Sequence, residues 1–307
     1  GGKTRVRDWQ CKDRAWAGYI SGAISLCDKR RTGTPGGRWE QLESAYYNRA
    51  SGASTRNPIR NLLPGLTVGY QFDPRWYGYA DAQRSLRAPQ VTQIIYGNNL
   101  DSELAWNYEA GVRFNPSGAL QLSVAAYRID FENQIELDNT TREYGNLGRT
   151  RHQGIELEGR WQPAFLPQWT LNTGYTHLQA TLRSGEFRGN EVPYAARNQF
   201  NIGATWQGAR GTFAVDGYYF GSSYSDKANT VDGNAIGSIG RMPAYWVWNA
   251  KATRELMRST QGNVLTGSLM INNLFNRKYY FRGIDTSPWG RQPAPATTMS
   301  VGLEYSF

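Results

Sequence analysis

Few side chains in this sequence are spaced for chemistry. The two histidines, His152 and His177, lie far apart, and neither has a second His, Cys or carboxylate at metal-ligand spacing. No nucleophile elbow, phosphate loop or HExxH is present, and Ser, His and Asp form no local triad signature, which points away from an enzyme. What remains is a set of guanidinium and amide groups: Arg84, Arg87, Gln90 and Gln93 in one stretch, and Arg142, Arg149 and Arg151 in another. Guanidinium forks bind carboxylates through paired hydrogen bonds and amides add neutral donors, so the set suits a compact anion with several carboxylates. The alternative for any one arginine is an ion pair with an acidic lipid head group or with Asp and Glu of a neighbouring loop. His152 alternates with Glu156 and Glu158 and reads as one more polar wall residue; no metal site and no cofactor are expected.

The elements that must position these groups are strands. From Thr298 to Phe307, Met299, Val301, Leu303, Tyr305 and Phe307 fall on one face, and Ser300, Gly302, Glu304 and Ser306 on the other. This period of two, with interfacial aromatics on the apolar side and Glu and Gly on the other, is what a transmembrane barrel strand needs. Composition agrees. The hydrophobic fraction is only 39%, mean hydropathy is −0.62, and no apolar run approaches the roughly 20 residues of a membrane helix. Yet 11 Trp, 19 Tyr and 34 Gly are present, the mix expected of strands that meet lipid on one face between aromatic girdles. The net charge of +9 comes from arginines scattered through the chain and not gathered in a stripe, so no nucleic-acid partner is expected.

Taken in order, residues 1–13 read as the end of an external loop, Ala15 to Leu26 as a first strand, Thr32 to Gly37 as a turn and Arg38 to Tyr47 as a second strand, before a polar loop from Ser51 to Asn61. Leu66 to Phe72 and Trp76 to Gln83 then form a hairpin about Asp73-Pro74. Leu104 to Phe114 and Leu120 to Phe131 repeat it, followed by pairs on either side of Pro163 to Pro167, Gln207 to Gly211 and Ser259 to Asn263. The strand after the last of these turns is read as running from Leu265 to Tyr280, and Thr298 to Phe307 completes about thirteen strands. Turns are short at one end. At the other, connections are long: Ser85 to Ser102, Asn133 to Gly148, Leu182 to Ala196, Gly221 to Met242 and Arg282 to Pro295. Short periplasmic turns and long external loops are how outer-membrane barrels are built, and an odd strand number implies that further strands lie upstream. Cys11 and Cys27 would be held apart by the intervening strand and are expected to be unpaired.

Several stretches resemble TonB-dependent outer-membrane receptors, in which a 22-stranded barrel is filled by an N-terminal plug. They are Leu63-Pro64-Gly65-Leu66-Thr67-Val68-Gly69-Tyr70, Gln83-Arg84-Ser85-Leu86-Arg87-Ala88-Pro89-Gln90, Trp106-Asn107-Tyr108-Glu109-Ala110-Gly111, Asn146-Leu147-Gly148-Arg149-Thr150-Arg151-His152-Gln153-Gly154, and Asn272-Asn273-Leu274-Phe275-Asn276-Arg277-Lys278-Tyr279-Tyr280. Val192-Pro193-Tyr194, Ala228-Asn229-Thr230 and Trp248-Asn249-Ala250 look most like the ferric dicitrate receptor branch. The resemblance implies an all-β transmembrane antiparallel barrel, with residues 1–307 as roughly its last thirteen strands and the plug outside this chain. It further implies a bacterial outer-membrane receptor for a ferric chelate, ferric citrate first, with the iron arriving as cargo and the TonB complex supplying energy. Another siderophore, cobalamin or a sugar is the alternative cargo, and a passive porin the alternative class. The arginines and glutamines above would hold the cargo; Tyr305 and the terminal Phe307 look like an assembly signal read by the barrel-assembly machinery.

Overall fold

The computed structural model describes residues 9–26, 29–90, 93, 100–137, 143–235, 239–281 and 292–307. Its strands are β1 (Trp9–Ser21), β2 (Ile24–Leu26), β3 (Arg31–Asn48), β4 (Ser54–Asp73), β5 (Trp76–Arg87), β6 (Glu103–Ser117), β7 (Leu120–Glu132), β8 (Ile135–Leu137), β9 (Tyr144–Asn146) and β10 (Thr150–Trp161). They continue as β11 (Trp169–Leu182), β12 (Asn198–Gly208), β13 (Gly211–Phe220), β14 (Ser223–Tyr224), β15 (Arg241–Met242), β16 (Tyr245–Arg258), β17 (Val264–Asn272), β18 (Tyr280–Phe281), β19 (Gln292–Pro293) and β20 (Thr298–Ser306). One antiparallel sheet runs β1-β3-β4-β5-β6-β7-β10-β11-β12-β13-β16-β17-β20, with β2 continuing β1 along β3. These are the thirteen positions expected from the pattern. The remaining short strands form three hairpins, β8 with β9, β14 with β15 and β18 with β19, all in connections at the long-loop end.

Register assigns every residue a face. Val68, Ala80, Ala110, Ala126 and Ile155 align across five strands, and the next row is Tyr70, Gly78, Val112, Val124 and Leu157. These rows are apolar, and Val68, Leu122, Val124, Ile155 and Leu157 are exposed. An apolar surface this continuous belongs against lipid. The alternate rows are polar: Asp81 aligns with Glu109 and Tyr127, and Tyr79 with Gly111, Ala125 and Glu156. Gly111 is required in that row, because a Cβ there would meet the Tyr79 hydroxyl at 2.7 Å. Aromatic pairs bound the apolar band, with Trp76 on Phe114 at 4.1 Å near the short turns and Trp246 between Phe200 at 5.7 Å and Tyr219 at 5.3 Å near the loops. Trp206 at the turn end donates from Nε1 to Gln168 Oε1 at 2.8 Å, which satisfies the polar edge of an interfacial ring.

The first third of the chain departs from the sequence expectation. Thr32 to Gly37 is not a turn but the start of β3, and Trp9 to Asp13 belongs to β1. The interruption lies instead in the partner strand, between β1 and β2, opposite Pro35, which has no N–H for the ladder. Gly22 N still donates to Pro35 O at 3.1 Å. Ser54 to Asn61, expected in a loop, extends β4, with Arg60 paired to Gln41 and Asn57 to Ser44. Beyond the bilayer both faces of a strand are wet, so a protruding ladder loses the alternation that marks it in sequence. β17 ends at Asn272, short of the expected Tyr280, where Asn273 turns the chain at φ 52. Cys11 is exposed and free on β1; Cys27 lies outside the described residues.

Candidate functional site

The long connections form a linked rim above the polar face. Glu103, 3% exposed at the start of β6, accepts from Ile135 N of β8 at 2.5 Å through Oε1 and from Arg87 at 3.2 Å through Oε2. A carboxylate so deeply buried is tolerated because a guanidinium and an amide both meet it. Asp101 and Asn146 exchange two bonds, Asp101 N to Asn146 Oδ1 at 2.9 Å and Asn146 Nδ2 to Asp101 O at 3.2 Å. Leu100, Ile135 and Tyr144 close into a small buried cluster between the same two connections. The two loops singled out in sequence are therefore docked to each other.

The chain of contacts continues around the rim. Leu147 packs with Phe187 and Ala195 around buried Ala180, Leu182 and Val192, tying the second loop to the third. The third is tied to the fourth through Asn229: Glu191 N donates to its Oδ1 at 2.7 Å, and its Nδ2 donates to Glu191 O at 2.9 Å. Tyr194 N donates to Tyr224 O at 2.7 Å. Tyr194 and Asn229 both hold positive φ, 61 and 57, so two of the three segments that carry the finer resemblance are joints between loops, while Trp248-Asn249-Ala250 lies within β16. Asn273 plays a similar part next to β17, donating from Nδ2 to Arg277 O at 2.9 Å and to Pro295 O at 3.2 Å.

The candidate ligand residues divide between the two faces. Arg87 is on the polar face, half-exposed and paired with Glu103. Gln93 is buried, and its Oε1 accepts from Gln90 N at 2.8 Å, so it shapes its own loop. Arg84 lies on the apolar face: it aligns with Trp106, then Asp130, then Arg151. Arg84 and Arg151 therefore project outward, away from the lumen in which the sequence reading grouped them with Arg87. Arg149 N is bonded to Ser184 Oγ at 2.8 Å in the third connection. Arg142 lies outside the described residues. His152 faces inward as expected, edge-on to Phe131 at 5.1 Å with Nε2 3.3 Å from Gln134 Oε1.

Sequence reasoning passed over Glu103 as an anchor and Asn107, which with Gln83, Ile129 and His152 forms a row on the polar face below the rim. Period-two alternation within β6 could have found Asn107. Further down, Asp81, Glu109, Glu156 and Glu158 make the wall acidic, with Tyr79 donating to Glu109 at 2.5 Å and Arg113 4.9 Å over the Tyr79 ring. Aromatic rings line another sector, where Tyr245 stacks on Tyr279 at 4.2 Å and on Phe220 at 5.3 Å.

Comparison with known proteins places this architecture. The chain is 25% identical over 273 residues to the metal-pseudopaline receptor CntO of Pseudomonas aeruginosa, covering 86% of this chain and 36% of that receptor. It is 24% identical over 254 residues to the ferrioxamine B receptor of Salmonella typhimurium, covering 80% and 34% respectively. The fold superposes on the unliganded ferric citrate transporter FecA with a TM-score of 0.79 and 26% identity, over 100% of this chain and 47% of that one. The chain thus spans roughly a third of these curated relatives and about half of the solved transporter. These relatives are receptors and transporters, not enzymes. Residues 4–274 match the family model described as TonB dependent receptor-like, beta-barrel, and the chain belongs to that family of outer-membrane barrels of Gram-negative bacteria.

Proposed function

We propose that this barrel serves a receptor that captures a metal chelate at the cell surface and releases it inward when the TonB complex supplies energy, with ferric citrate as the cargo. The observation that carries the reading is the likeness to the ferric citrate transporter over the full chain, at 26% identity. The loop geometry supports it. The first two long loops are docked over the polar face, and Arg87 stands at their joint with a guanidinium that Glu103 orients. Ferric citrate carries several carboxylates, so Arg87 with the amides of Gln83 and Asn107 suits its charge and shape, and closing loops would strengthen these contacts by excluding water. The acidic band below repels such an anion and suits basic groups of a domain seated inside the barrel. A second reading, a different siderophore, is favoured by the relatives named for pseudopaline and ferrioxamine B.

The test is tryptophan fluorescence of the detergent-purified receptor carrying this barrel, titrated with ferric citrate, iron-free citrate and a ferric hydroxamate. Saturable quenching by ferric citrate alone supports the reading, and a response to the hydroxamate instead transfers it to the second. Tyr305, on the lipid-facing row of β20, and the exposed Phe307 just beyond that strand remain the proposed assembly signal. Deleting Phe307 is expected to lower the amount of folded receptor in the outer membrane, read by heat-modifiable mobility; an unchanged amount removes that role.

A further inference from the structure

Asn229 lies between β13 and β16, several strands around the sheet from Arg87, and its side chain is fully engaged. Its Oδ1 accepts from Glu191 N at 2.7 Å, and the two protons on Nδ2 go to Glu191 O at 2.9 Å and Asp226 O at 3.3 Å. An anionic cargo needs donors, and this amide has none left to give. What it does instead is join the fourth connection, residues 221–244, to the third, residues 183–197. Asn190 Nδ2 donates to Lys227 O at 2.9 Å across the same joint, and Tyr194 N to Tyr224 O at 2.7 Å. The fourth connection is a firm base for it. Asp226 Oδ1 accepts from Thr230 N at 3.3 Å and from Thr230 Oγ1 at 3.0 Å, and buried Ser225 donates from Oγ to Gly240 O at 2.8 Å.

From Glu191 the contacts lead back to Arg87 in short steps. Val192, next to Glu191, is buried with Ala180 and Leu182, and Leu147 of the second connection packs against this cluster. Leu147 N donates to Gln134 O at 2.7 Å and Gln134 N to Gly148 O at 3.3 Å, which ties the two ends of the second connection together. Each end then holds the first connection. Asn146, before Leu147, exchanges its two bonds with Asp101, while Ile135, after Gln134, donates to Glu103, and Glu103 holds Arg87. Every step is either an adjacent residue or a direct contact. A displacement of the third connection is therefore passed along the rim and not absorbed in it.

We propose that Asn229 is a positioning residue for cargo capture: through Glu191, Leu147 and Asn146 it fixes where the first two loops hold Arg87. It acts without touching cargo, by keeping the third connection seated against the fourth. Freed from that seat, the third connection loosens its hold on Leu147, and the joints at Asp101 and Ile135 open more often. The inference rests on the reading that Arg87 meets an anionic chelate, but the linkage from Asn229 to Asp101 and Ile135 stands on contacts alone.

The experiment is hydrogen exchange of the detergent-purified receptor carrying this barrel, free of cargo, followed by titration with ferric citrate. Asn229→Gly keeps the positive φ and removes the clasp, and Asn190→Ala loosens the same joint at a second point. Ser222→Ala is the control, since it loses a bond from Arg241 inside the fourth connection and none across the joint. Exchange at the Asp101 and Ile135 amides is expected to rise about threefold or more in both joint variants and to stay unchanged in the control. Affinity for ferric citrate should fall by a similar factor, through faster dissociation. Heat-modifiable mobility reads the folded state, so a variant that misfolds is recognised and the other decides. Faster exchange confined to the residues around Glu191 and Asn229 would overturn the proposal, as would unchanged affinity in both variants of a receptor that binds ferric citrate. A parent that does not bind ferric citrate refutes the cargo reading alone, and the exchange result still decides the linkage.

Discussion

The upper end of β5 carries two arginines three residues apart, and the sheet sends them to different worlds. Arg87 turns inward, where buried Glu103 and the Ile135 amide fix it under docked loops. Arg84 turns outward, in a row with Trp106, Asp130 and Arg151 of the next three strands, and pairs with Glu132 at 3.5 Å. The same side chain thus serves water-filled lumen or membrane surface according to parity alone, because successive strand residues point to opposite faces. Closeness in sequence says little about which of the two surfaces a residue serves.

The sharpest way to break this division is to put charge in the middle of the lipid face. Val124→Arg is expected to destabilise the folded barrel by about 2–4 kcal/mol, and the adjacent inward Ser123→Arg by far less. Denaturant unfolding of the receptor in vesicles compares them, and equal losses would mean that the faces are misassigned. A smaller effect is expected at the joint of the inner rim. Glu103→Ala leaves the Ile135 amide without its buried acceptor, costing about 1–3 kcal/mol, and hydrogen exchange at that amide should rise as the first two loops part.

The two arginines themselves come next. Arg87→Ala should weaken ferric citrate binding about tenfold, from roughly 1.5 kcal/mol for a charge-assisted contact, while Arg84→Ala should leave it unchanged. Isothermal titration with ferric citrate reads both, and the reverse order would return Arg84 to the cargo site. The smallest change is expected at Arg38 and Glu40, a pair 3.4 Å apart on the inward side of β3. Arg38→Ala should shift stability by less than about 1 kcal/mol, since exposed pairs contribute little. A larger shift in the same unfolding assay would show that something packs on that wall.

Much of this was legible in the chain. Alternation from Leu66 through Val124 to Val301 marks the lipid face, because burial in lipid leaves no choice of residue type. Short turns such as Asp73-Pro74 identify one end of the barrel, since Asp73 Oδ1 can take the turn amides of Arg75 and Trp76 itself. Legibility failed where that constraint lifts. Ser54 to Asn61 reads as loop because its ladder stands clear of the bilayer, and Thr32 to Gly37 reads as turn because Pro and Gly usually mark one. In β3 a neighbouring strand simply gives way opposite Pro35.

The candidate site divides along the same line. By themselves the residues determined strand parity, the wet and oily faces, the loop-bearing end and the family motifs, because each follows from local chemistry repeated every second residue. Parity already separated Arg84 from Arg87. Only the tertiary structure decided that Glu103 would be buried between two loops, that Asn229 would clasp Glu191, and that Arg128 of β7 and Arg151 of β10 would share Asp130. Those contacts join residues distant in sequence through register, and register is set by the whole ladder.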